Sequence, residues 1–164
     1  MSFGKAPGSG WSLLLPISWM AVIYLLSGEA FASLHTSRFL IPLLHCLWPD
    51  LSHQALVQLH ALLRKGGHFL EYLVLSGLWY WSLRPHFPTR NQASFLALAL
   101  SLTYALFDEI HQSFLPSRTG SFLDILIDGT GALAMQAIVW FRPLRPQVAP
   151  AGGRTISHRR QRGA

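Results

Sequence analysis

Charge is what this sequence has least of. Charged residues fill 12% of its 164 positions, against roughly 25% in an ordinary soluble domain. That is too little to coat a water-facing surface. Cysteine is nearly absent as well. Cys46 stands alone, which excludes an intrachain disulfide and a metal site built on paired cysteines. No Walker-type glycine loop and no G-x-S-x-G run occurs. P-loop, dinucleotide and serine-nucleophile chemistries therefore find no support, and Gly66-Gly67 alone does not supply one. No internal repeat is visible.

The net charge is +6, and it is unevenly spread. Arg142, Arg145, Arg154, Arg159, Arg160 and Arg162 all lie in the last stretch. A basic tail beside an apolar segment reads as a topology signal and as a partner for anionic lipid headgroups. No stacking motif or basic domain accompanies it, so nucleic acid is not an expected partner.

Apolar runs take up what charge leaves. Hydrophobic residues make up 51% of the chain, and they concentrate at 11–27, 67–83, 93–112 and 122–141. A spanning helix needs about 20 mostly apolar residues. The third run reaches that length only if Asp108 and Glu109 belong to it, and the fourth only with Asp124 and Asp128. The expected fold is all-α, a multi-pass membrane helix bundle of four transmembrane helices. Residues 1–10 form an N-terminal tail, 11–141 the transmembrane domain, and 142–164 a disordered Arg-rich tail. Trp11, Trp19, Trp79, Trp81 and Trp140 fit interfacial positions. Pro16 interrupts the first run, where a neighbouring helix can satisfy the carbonyl it frees. A rival reading makes that run a cleavable signal peptide, with Lys5 before it and Ala30-Phe31-Ala32 after it. A mature protein starting at Ser33 would be its mark.

With four spans both termini share a side, and the Arg-rich tail makes that side cytoplasmic. The polar groups at 65–68, 108–112 and 124 then meet at the outer face. Between the first two spans, 39–48 is apolar but short and contains Pro42. Residues 55–63 carry Leu56, Leu59 and Leu63 at helical spacing. Both pieces either lie flat at the interface or pack over the bundle.

Ionisable groups at the mouths of apolar segments are costly, so each is a functional candidate. Lys65, His68 and Tyr72 share one helical face, with Glu71 beside it. The plain alternative is a snorkelling lysine and an interfacial histidine. Ser94, Ala97, Ser101, Ala105, Asp108 and Gln112 draw a small and polar stripe, the kind of face that turns toward partner helices. The plain alternative here is close packing, with Asp108 capping the last helix. Asp124 and Asp128 lie one turn apart, with Gly131 continuing their face. Thr130, Ala134 and Ala137 form a second close-packing face. Arg118, in a Pro/Gly turn, is the natural counter-charge for Asp108, Glu109, Asp124 or an anionic ligand. A purely structural cluster of ion pairs competes with that reading.

These residues also carry a resemblance. The run Lys65-Gly66-Gly67-His68-Phe69, the stretch Asp108-Glu109-x-x-Gln112 leading to Arg118, and Asp124 with Gly131 resemble the VanZ-like membrane proteins. Asp128 stands where many relatives have Asn. The likeness is close over 67–140 and loose before it. The family takes its name from a member linked to teicoplanin resistance. The resemblance implies a multi-pass protein of the bacterial plasma membrane, with no particular reaction attached.

Two functions follow as expectations. The first is binding or transport of a membrane lipid or lipid-linked envelope precursor, with Lys65, His68, Tyr72, Gln112, Arg118 and Asp128 contacting it. The second is an intramembrane hydrolase or transferase. In it Glu109 and Asp108 act with His68 or Asp124 in acid–base roles, and Arg118 stabilises an oxyanion. A metal variant would use His68, Glu71, Asp108 and His111, but no His-x-x-x-His supports it. No metal and no cofactor is expected. A structural subunit whose charges only lock the bundle is the third reading.

Overall fold

The computed structural model describes residues 11–28, 33–116 and 120–142, and they are helical throughout apart from short turns. Helix α1 is Trp11–Ser27, α2 Ser33–Leu47, α3 His53–Leu83, α4 Arg90–Ser113 and α5 Phe122–Phe141. The tails at 1–10 and 143–164, the 30–32 segment of the signal-peptide reading, and Arg118 lie outside the described residues.

Local chemistry explains the boundaries. Ser52 opens α3 by accepting the amide of Ala55, a standard N-cap interaction. Pro85 stands two residues past its end, within a single 3-10 turn, Arg84–His86. Thr89 and Gln92 form a reciprocal capping box at the start of α4. At the end of α5, Arg90 reaches across to donate to the carbonyls of Trp140 at 2.8 Å and Arg142 at 3.0 Å. These are carbonyls that the helix cannot satisfy itself.

Helix α3 is the hub. It packs on α1, α2, α4 and α5, most extensively on α5. Side-chain pairs set the directions. Residues 65, 68 and 76 of α3 meet 124, 128 and 136 of α5, so those helices run parallel. Ser82 meets Ser12 and Glu71 meets Trp19, so α1 runs against α3. Arg90 meets Trp140 and Ser94 meets Gln136, so α4 runs against α5. The result is an up-down-up-down arrangement of α1, α3, α4 and α5 with α2 laid on α3.

Two cores lie between them. Ile23, Tyr72, Leu75 and Ala105 form one; Tyr80, Ala93, Ala97 and Val139 form the other. Pro16 is fully buried, and it has no amide to offer the carbonyl of Ser12. The Ser82 hydroxyl donates to that carbonyl at 2.6 Å. The signal-peptide reading concerns processing, but α1 is built into the bundle through Ile23 and Ser27.

Several expectations change. The second apolar segment was expected to begin at 67, yet α3 starts at His53 and runs 31 residues without a break, roughly 46 Å. Residues 55–63 are its first turns, not a separate piece. Gly66 and Gly67 cost the helix about 1 kcal/mol each, but helical spacing on both sides carries it through. Pro42 likewise does not end α2. Of the described helices, α4 and α5 are long and apolar enough to cross a membrane. Helix α1 is apolar but shorter, and the first half of α3 is polar.

Candidate functional site

The stripe on α4 is buried along its whole length: Ser94, Ala97, Ser101, Ala105, Asp108 and Gln112 all face inward. Small side chains let the neighbouring backbones approach. On α5 the buried face is Asp128, Gly129, Gly131, Ala132, Gln136 and Val139. The second face expected there is not formed, since Thr130 and Ala137 are exposed. Gly131 explains the choice. A Cβ at that position would collide with the backbone of Phe69, whose Cα would lie 3.2 Å away. Only glycine permits this crossing, and the crossing brings Asp128 opposite His68.

At one end of the bundle the charged residues converge. Lys65 Nζ lies 3.4 Å from Asp124 Oδ1, both partly exposed at the rim. One turn deeper, His68 Nδ1 stands 3.3 Å from Asp128 Oδ1. They meet as an ion-pair contact, and neither atom has a formed hydrogen bond. Asp128 is 0% exposed and His68 8%. On the α1 side, Asp108 Oδ2 accepts from Ser27 Oγ and from Gln112 Nε2, each at 2.9 Å. Glu109 Oε1 accepts the backbone amide of Ser121, the N-cap residue of α5. The cap expected from Asp108 thus comes from its neighbour, and Asp108 turns to α1 instead. Tyr72 is 0% exposed and lies within the electrostatic reach of Asp108 and Asp128.

Of the expected site residues, Lys65, His68, Tyr72, Asp108, Glu109, Gln112, Asp124 and Asp128 gather at this end. The metal variant does not form. Among the described residues no three His, Cys, Asp or Glu side chains group as metal ligands, and His111 stacks on Tyr24 with ring centroids 4.6 Å apart.

Sequence reasoning missed two participants. Ser27 had no signal beyond its place at the end of an apolar run. Gln136, buried in α5, accepts from Ser94 Oγ at 2.6 Å and donates to Ser76 Oγ at 2.6 Å. A lone glutamine in an apolar helix was the available clue.

The stretch that carries these groups matches a family model described as VanZ/LLP1 over residues 12–143. The chain belongs to the VanZ/LLP1 family. The match takes in all five helices, α1 included, and so extends beyond the close likeness at 67–140. No curated protein and no solved structure matches the chain. The family fits a protein of the cell envelope, and the two apolar helices α4 and α5 agree with a membrane setting for this VanZ/LLP1 member.

Proposed function

We propose that this VanZ/LLP1 protein crosses the bacterial plasma membrane four times, through α1, the second half of α3, α4 and α5. Both termini are cytoplasmic, and the charged end of the bundle opens outward. There it handles the headgroup of a membrane lipid or lipid-linked, cell-wall-related precursor, which links it to glycopeptide tolerance. The observation that carries the reading is the gradient of charge along one end. A partly exposed Lys65–Asp124 pair at the rim leads to buried His68, Asp128, Asp108 and Glu109. An amphiphile needs such a place, with polar contacts beside an apolar wall. Gly66 and Gly67 support access, because a side chain beginning at either would meet nothing within 4 Å. Ionisable groups this deep are costly, which makes a functional role the default reading.

The His68–Asp128 pair also suits acid–base work, with Glu109 as base in a hydrolase or transferase acting on the headgroup. Turnover of a lipid by the purified protein, lost in Glu109→Gln, would establish that version. The headgroup reading itself is tested in cells. Arg118→Ala and Glu109→Ala are expected to insert normally yet lose any envelope or glycopeptide phenotype of the wild type. Equal drug sensitivity in wild-type, variant and deletion strains would refute the link to glycopeptides.

A further inference from the structure

The buried end of the charged site has a chemical bias. Six atoms there are buried without a hydrogen-bond partner in the protein: Asp108 Oδ1, Glu109 Oε2, both carboxylate oxygens of Asp128, His68 Nδ1 and the Tyr72 hydroxyl. Four of the six are carboxylate oxygens, which only accept when ionised. Lys65 is paired with Asp124 at the rim, 3.4 Å away. Among the described residues, Asp128 meets the His68 imidazole at 3.3 Å, and neither Asp108 nor Glu109 has an ion-pair partner. Burial of unpaired polar or charged groups is expensive, and Tyr72, fully buried, adds a hydroxyl that needs a partner of its own.

We propose that this inner end binds a primary ammonium group, held by Asp128 and Asp108 with Tyr72 and Glu109 alongside. The inference rests on the headgroup reading above and names the headgroup's chemistry. An anion is disfavoured there by the carboxylates, which would repel it. A metal ion is disfavoured by spacing, since these side chains do not group as metal ligands. An ammonium has three diverging N–H donors and a carbon stem, and it can bridge acceptors that stand further apart. The rim leaves room for the rest of such a headgroup, because a side chain beginning at Gly66 or Gly67 would meet nothing within 4 Å.

The test uses the full chain in nanodiscs, with native mass spectrometry reading lipid occupancy. Phosphatidylethanolamine is compared with its N-acetyl derivative and with phosphatidylglycerol. The expected result is a preference for the free amine of about tenfold or more, the worth of one charge-assisted hydrogen bond. Asp128→Asn is expected to erase the preference while phosphatidylglycerol binding holds. Free ethanolamine competing as well as the lipid would place recognition in the ammonium alone; failure to compete would show that the tail is needed too. Either result supports an ammonium site. Equal binding of the free and capped amine overturns the inference, as does stabilisation by sodium or protons without any amine preference. If Asp128→Asn fails to fold, the capped-lipid comparison on wild type still decides. Should all three lipids bind equally and still depend on Lys65, only the ammonium assignment fails. Should none bind, the headgroup reading fails with it.

Discussion

Gly131 controls how near α3 and α5 come, because the Phe69 backbone occupies the space where any Cβ would sit. Larger side chains there must push the helices apart and pull Asp128 from His68. Gly131→Leu is expected to lower stability by about 1–3 kcal/mol, the usual cost of overpacking, read as a drop in the melting temperature of the purified protein. An unchanged melting temperature would mean that the crossing is looser than the geometry requires. Gln136 acts at the same scale. It ties Ser76 and Ser94 together with two bonds of 2.6 Å, interhelical links that in membranes are worth about 0.6–2 kcal/mol. Ser82 does similar service for the carbonyl that Pro16 leaves free.

Helix α2 is attached differently from the others. Among the described residues it packs on α3 alone, through Leu44 and a contact of 3.2 Å between Thr36 Oγ1 and His60 Nε2. Burial, and secondarily the charge of Arg64, push the His60 imidazole below its ordinary value of 6.5. The folded state thus resists protonation while the unfolded chain accepts it. Stability from this group is complete above about pH 6.5 and declines as pH falls below it. Between pH 7 and 5 the wild-type melting temperature is expected to fall more than that of His60→Leu. Parallel curves would remove His60 from the acid response. The extent of α3 was only partly legible beforehand. Leu56, Leu59 and Leu63 showed helical spacing, but two adjacent glycines and a polar first half masked the continuity that packing supplies. Phe39, Leu43 and Leu47 stay at least half exposed on α2, in keeping with a helix at the membrane interface.

Across the whole molecule, alternating helix directions carry Ser27, Lys65, Asp108 and Asp124 to one end, while Arg84, Arg90 and Arg142 lie at the other. The proposed topology requires those ends to face different compartments. Single cysteines at 62 and 88, in a background with Cys46→Ser, are expected to react with a membrane-impermeant maleimide from opposite sides of intact cells. Labelling of both from one side would dismantle the four-span topology. At this scale the gathering of polar groups at one end was readable in advance from the order of the apolar runs.

The sequence by itself determined the helical class, the apolar segments and the inward face of α4. Apolar spacing and the stripe from Ser94 to Gln112 act within a few residues of one another, and local chemistry is enough to read them. Only the tertiary structure decided the partners: Lys65 with Asp124, His68 with Asp128, Asp108 with Ser27, and Glu109 with the start of α5. Those pairings depend on the register between helices. The close approach of Gly131 to Phe69 sets that register, and no local propensity encodes a contact between residues so far apart in the chain.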